Sequence, residues 1–490
     1  MVFNSTTFLL FFVVVFALYW WAGKKNAKLQ NGILLLASYF FYGFASLKIV
    51  PILLLATVIF YGLGIGIGAG WNREDAKGEK IAGWLTALGV VLGVGFLLYF
   101  KYLNFFIGSF VDLLNLFGLQ TSWHTMKIIM PLGISFFTFK LIAYVLDVQH
   151  GKIQPTKDFV KFATYIAFFP CILSGPIDRP AFMKQLDKLR VFNYDMAVDG
   201  SRQFLWGLFK KVVVADNCAT YVDQVWADYG SQSGSTLLFA SILYAFQLYA
   251  DFSGYSDMAI GVGKWMGLKI TDNFKYPFFA LNIADFWRRW HISLTGWMTD
   301  YVFMPLNLKM RNWKKVGMAI AIILNFVIVG FWHGDNWLYG LYGLYHGLLF
   351  VPLIISGAFY KNDEIQTYQN IDLPKPKDLG RMVLTFVLVL IGFILFRSAS
   401  VSDAFGFLSG ICSTSLFSTP WLMNRAFYIP QMLFIAIMLV VEWKQRNKQH
   451  GLVLDGVKSK WLRFGIYWII LATIIYAGKF GVNQYIYFQF

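Results

Sequence analysis

The chain has 490 residues, of which 58% are hydrophobic and only 14% charged, with a formal net charge of +16. A soluble globular protein carries about 25% charged residues, so this composition excludes an ordinary soluble domain and points to a polytopic membrane protein. The positive charge is expected in cytoplasmic loops, and no basic tract with interleaved aromatics marks a nucleic-acid partner.

Apolar stretches near the ~20 residues needed to cross a bilayer recur along the chain. They predict about twelve transmembrane helices, at 5–22, 31–47, 49–69, 83–105, 132–148, 158–176, 236–263, 316–333, 337–358, 379–396, 426–443 and 464–482. Two further segments, 201–222 and 281–300, are apolar but interrupted by charge, and read as re-entrant or interfacial helices. Lys24, Lys25 and Lys28 follow the first span, which places the N-terminus outside. The clusters Lys309 to Lys315 and Lys444 to Lys448 fit the same alternation, whereas the basic stretch Arg179 to Arg190 falls on the wrong side of it. An even number of spans sends the C-terminus outside as well. Residues 464–490 form a last outward span and an external aromatic tail in this reading. The whole of 1–490 reads as a single integral membrane domain, with 367–377 as a polar loop. Three scattered cysteines, Cys171, Cys218 and Cys412, suit neither a disulfide framework nor a metal site.

The candidate chemistry lies in the second half. His333 closes the apolar run that begins at Gly317. An ionisable imidazole at membrane depth is costly, and imidazole is the side chain best suited to move a proton near neutral pH. His291 lies in a charged, tryptophan-rich segment expected at the opposite face. Arg288 and Arg289 read either as interfacial anchors or, with Asp285 and Trp332, as a substrate-binding group for a phosphate-bearing donor. His346 sits in a glycine- and tyrosine-rich span where packing and a direct role are both open; His124, His150 and His450 lie in loops. Asp251 and Asp257 fall within an apolar stretch, where they are expected to bind a cation, pair with a basic side chain or orient an imidazole. No dinucleotide loop, phosphate loop, nucleophile elbow or zinc-protease helix is present.

Several motifs together resemble those of the membrane-bound O-acyltransferases, in the branch of the bacterial alginate O-acetyltransferase membrane subunit. They are Pro131-Leu-Gly-Ile-Ser-Phe-Phe-Thr-Phe139, Phe169-Pro-Cys-Ile-Leu-Ser-Gly-Pro-Ile177, Asp251-Phe-Ser-Gly-Tyr-Ser-Asp257, Asp285-Phe-Trp-Arg-Arg-Trp-His-Ile-Ser-Leu294, Phe331-Trp-His-Gly334 and Leu395-Phe-Arg-Ser398. The resemblance implies an all-α fold of spans and re-entrant helices around a central channel. It implies an enzyme that takes an acyl group from a cytoplasmic thioester, acetyl-CoA or another acyl carrier, as co-substrate, with no bound cofactor or metal. It makes His333 the catalytic residue and His291 the second site residue. The chain has Val302-Phe-Met-Pro-Leu-Asn307 where the alginate branch carries Tyr-Ile-Pro-Leu-Gly-Gly, so peptidoglycan stands ahead of an alginate-like exopolysaccharide as the expected acceptor. The tail Tyr485-Ile-Tyr-Phe-Gln-Phe490 is similar to the aromatic C-terminal motif of the small peptide of teichoic-acid D-alanylation, which implies a transient acyl ester on Tyr487; a plain interfacial tail is the other reading. A bacterial inner-membrane location and a separate extracytoplasmic acetyltransferase partner, acting on an envelope polysaccharide, complete the expectation. A proton-coupled membrane transporter with His333, Asp251 and Asp257 as its relay is the competing class.

Overall fold

The computed structural model describes residues 1–73, 75–119, 125–126, 128–360, 373–421, 425–480 and 485–486. Tyr487, His124 and most of the 367–377 link lie outside the described residues. The described residues are helical, with no strand among them. Eight of the helices are long and apolar enough to cross a membrane. The chain divides into two units, Met1–Ala197 with Gly263–Thr271, and Val198–Val262 with Asp272–Phe490.

In the first unit, Thr6–Trp21, Val50–Trp71 and Ala76–Leu97 form where the sequence predicts spans. Two expected spans are shorter. The stretch 132–148 becomes the helix Ile134–Gln149, whose Lys140 and Asp147 are buried. The stretch 158–176 yields only Phe159–Ala167, nine residues. At 1.5 Å per residue that is about 14 Å, too short for a bilayer core of about 30 Å. Pro170 and the Gly175-Pro176 pair prevent its continuation, and the chain proceeds in turns. The misplaced basic stretch is partly explained here as well. Arg190 is buried, with its Nε donating to the Tyr19 hydroxyl at 2.8 Å and one Nη to Asn31 Oδ1 at 2.8 Å. It acts as an internal tie and does not count as a loop charge.

In the second unit, the 32-residue helix Gly234–Trp265 carries both aspartates of the Asp251 to Asp257 motif. The helices Lys314–His333 and Trp337–Leu349 form a tight hairpin. Their glycines let the backbones meet. A Cβ on Gly330 would lie 2.1 Å from the Tyr339 carbonyl oxygen, and one on Gly343 would lie 2.1 Å from that of Phe326. This is the small-residue packing that apolar surroundings require, since lipid supplies no hydrophobic drive between helices. Pro376–Arg397 packs on the second arm of the hairpin.

The 201–222 segment, expected to be re-entrant or interfacial, is helical and largely buried. It runs through Tyr194–Leu208, Phe209–Ala215 and Asp216–Ala227, and buries Lys210 and Lys211. Each lysine takes one aspartate of the long helix. Lys210 Nζ lies 2.6 Å from Asp257 and Lys211 Nζ lies 2.6 Å from Asp251. Two lysines in an apolar helix therefore mark paired buried charge, which is tolerable only with such partners.

Candidate active site

The segment after Leu281 is broken into short helices, Ile283–Arg289 and Ile292–Met298, with Trp290 and His291 at the break. His291 is in the left-handed conformation, φ 47°. For a residue with a side chain this costs about 1–2 kcal/mol, and Asn273 offsets it. The Asn273 backbone carbonyl accepts the Ile292 N–H at 2.9 Å. Its side-chain oxygen lies 3.1 Å from His291 Nδ1 and also accepts the Ser293 hydroxyl at 2.8 Å.

That geometry fixes the imidazole's chemistry. An amide oxygen only accepts, so His291 Nδ1 carries the hydrogen and Nε2 keeps the lone pair. His291 is fully buried, outside the eight candidate spans, and burial pushes its pKa down to about 3. It is a neutral imidazole with a lone pair on Nε2, held from behind.

His333 ends its helix, and Gly334 turns away in an extended conformation. A Cβ on Gly334 would meet the Tyr339 ring at 2.1 Å, which is why glycine follows the histidine. His333 is packed edge-on against Phe396 of the Leu395 to Ser398 motif, ring centroids 5.1 Å apart, and against Tyr342 at 5.9 Å. The neighbouring Arg397 reaches Asp223 at 2.6 Å and covers the Trp226 and Tyr244 rings.

The two imidazoles share one indole. Trp332 lies 4.8 Å from the His333 ring and 5.6 Å from the His291 ring, edge to face with both. The sequence reading set one histidine at each mouth of a channel. The structure instead brings them to the same aromatic centre, because the break at Trp290 and His291 turns the second histidine inward.

The other expected residues are placed as follows. Asp285 is buried, accepts the Leu281 N–H at 3.1 Å and pairs with Arg289 Nε at 2.7 Å, so this pair ties the short helix to its approach. Arg288 donates to the Phe359 carbonyl at 3.2 Å and is half-buried. His346 accepts from Trp287 Nε1 at 3.3 Å, and its Nε2 faces Gly392, where a Cβ would lie 2.3 Å away; the packing role fits. His450 donates to Asp199 at 2.9 Å and accepts the Leu452 N–H at 3.2 Å, which fastens its loop. Among the described residues no cluster of three or more His, Cys, Asp or Glu could hold a metal ion.

Sequence reasoning missed Asn273, Lys210, Lys211 and Glu442. Glu442 is buried and accepts the Tyr249 hydroxyl at 2.9 Å beside Lys210. The lysines left a signal in their charge within an apolar helix; Asn273, 18 residues from His291 in a polar loop, left none.

Two residues of the C-terminal segment pack on the long helix and Lys211. Tyr485 is buried and lies under Lys211, with Nζ 4.2 Å from its ring centroid. The Ile486 N–H donates to Asp251 Oδ2 at 2.9 Å. The residue after Asp251, Phe252, packs edge-on against the His291 ring at 4.7 Å. The tail is thus anchored one residue along the long helix from the His291 contact.

Two imidazoles thus share one indole in a buried setting. Residues 153–376 match the model of the membrane-bound O-acyltransferase family. The chain is 36% identical over 407 residues to the probable alginate O-acetylase AlgI of Pseudomonas aeruginosa, covering 82% of this chain and 73% of the relative. It is 31% identical to the peptidoglycan O-acetyltransferase of Helicobacter pylori, covering 100% of this chain and 98% of the relative. It is 33% identical to the teichoic acid D-alanyltransferase of Bacillus subtilis, over 54% of this chain and 68% of the relative. The chain belongs to the membrane-bound O-acyltransferase family and is a multi-pass membrane acyltransferase. The family model includes both histidines, and the peptidoglycan relative matches over the whole chain, tail included.

Proposed function

We propose that this enzyme moves an acetyl group from a cytoplasmic thioester, acetyl-CoA first, across the inner membrane for O-acetylation of an envelope polysaccharide. Peptidoglycan is the first acceptor, supported by the relative that matches end to end; an alginate-like exopolysaccharide is second. The observation that carries the reading is the pair of imidazoles that share Trp332.

His333 is the general base in this scheme. It takes the proton of an attacking hydroxyl as the oxygen adds to the thioester carbonyl. The tetrahedral intermediate then collapses, the carbon–sulfur bond breaks, and the thiolate leaves with the proton that the imidazole returns. His291, neutral and oriented by Asn273, is the second site residue and offers Nε2 within the same aromatic centre. Trp332 walls it from water. In this scheme Arg288 meets the donor's phosphates, and Arg289 and Asp285 serve that site by positioning it. Tyr487, the residue after the anchored Ile486, supplies the hydroxyl and holds the acetyl ester. An extracytoplasmic acetyltransferase then passes the group to the sugar, with both termini of the enzyme outside.

Replacing His333 by alanine tests this. Polymer O-acetylation in cells should fall to background while the protein still inserts and is purified from membranes in normal amount; undiminished acetylation would refute the assignment. The transporter alternative loses its relay, because Asp251 and Asp257 are each held by a lysine at 2.6 Å.

A further inference from the structure

We infer that Lys211 and Asp251 form a docking pair that sets the register of the C-terminal segment for acyl transfer. Resting on the acyl-tail reading above, this makes them positioning residues of the reaction.

Asp251 uses its two oxygens for two purposes. Oδ1 takes Lys211 Nζ at 2.6 Å, and Oδ2 takes the Ile486 backbone N–H at 2.9 Å. Lys211 is divided likewise. Its ammonium also meets Asp216 at 2.9 Å and stands 4.2 Å from the centre of the Tyr485 ring. Tyr255, one turn beyond Asp251, closes the far side, its ring edge-on to Tyr485 at 4.9 Å. The segment is therefore held by a main-chain hydrogen bond to a charged acceptor and by an aromatic face on a buried cation. Both are strong where water is scarce.

Lys211 Nζ meets two carboxylates, Asp216 at 2.9 Å and Asp251 at 2.6 Å, and the Ile486 N–H donates to the other oxygen of Asp251. A main-chain donor fixes the register of the chain and not merely the identity of one side chain. The dock lies on the same helix as Phe252, whose ring meets that of His291 at 4.7 Å.

Two variants in the full-length enzyme separate docking from mere packing. Asp251→Asn offers one acceptor oxygen where the carboxylate offers two, and Lys211 claims it. Amide hydrogen–deuterium exchange in the C-terminal peptide should then quicken by about tenfold or more relative to wild type. Ile486→Pro leaves Lys211, Asp251 and Asp216 intact but removes the donated N–H. Polymer O-acetylation in cells should fall about tenfold or more, and Ile486→Ala, which keeps the N–H, should lie about tenfold above the proline variant. Unchanged exchange in Asp251→Asn would overturn the dock. Faster exchange with wild-type product from Ile486→Pro would overturn its role in positioning. An absence of acetyl adduct on the wild-type tail, with both effects present, would retire the tail tyrosine as carrier and leave the dock standing.

Discussion

Asn273 shows how one amide sets the state of a catalytic-type imidazole. Its oxygen accepts from His291 and Ser293 together, so Asn273→Ala removes two buried hydrogen bonds, at about 0.5–1.5 kcal/mol each. It also frees the ring to turn. We expect transfer to drop on the order of 100-fold, as for a misplaced group, in protein that still elutes as a single detergent-solubilised species; activity within twofold of wild type would mean the ring is held by packing alone. Burial of His291 has a second consequence. Its folded pKa of about 3 lies below the ordinary 6.5, so between those values the unfolded chain binds the extra proton. The contribution to stability is complete above pH 6.5 and is lost as the pH falls from there toward 3. Melting curves across that window should show a steeper acid decline for wild type than for His291→Asn, which tolerates the left-handed backbone. Parallel declines would place the acid sensitivity elsewhere.

At the scale of elements, the hairpin of Lys314–His333 and Trp337–Leu349 is the frame for His333. The close approach at Gly330 and Gly343 meets backbone, which cannot swing aside as a side chain would. Gly343→Ala should therefore destabilise the protein by about 1–3 kcal/mol, the usual cost of overpacking, read as a lower melting temperature in detergent; an unchanged midpoint would show that the hairpin opens freely. Much of this frame was legible in sequence. The apolar run ending at His333 and the glycine-tyrosine run after it gave both arms. The nine-residue helix Phe159–Ala167 was not, because hydropathy reads an apolar turn as readily as an apolar helix, and the Pro170 and Gly175-Pro176 breaks weigh less in such a window than phenylalanines. The partners of the double lysine were hidden for a related reason. Charge in an apolar segment reads as an interface until its counter-charges are seen, and Asp251 and Asp257 lie about 40 residues away along the chain.

For the whole molecule, the motifs identified the family, while the meeting of His291 and His333 on one indole came only with the fold. His291 and His333 lie 42 positions apart, with a basic loop and a span in that stretch, which suggested separation across the membrane. What the spacing concealed was the left-handed turn at His291, a conformation no propensity favours for histidine. The tail was legible as an aromatic motif, but not its seat on Lys211 and Asp251. Its anchorage links the last residues of the chain to the centre of the second unit, and this gives the proposed route its order: donor, imidazole pair, tail, exported polymer. The most direct test is peptide mass spectrometry of the purified enzyme, comparing wild type with Tyr487→Phe and His333→Ala. An acetyl adduct on the wild-type C-terminal peptide, absent from both variants, is the expected result. Polymer acetylation that persists in Tyr487→Phe, with no adduct on the wild-type tail, would contradict it.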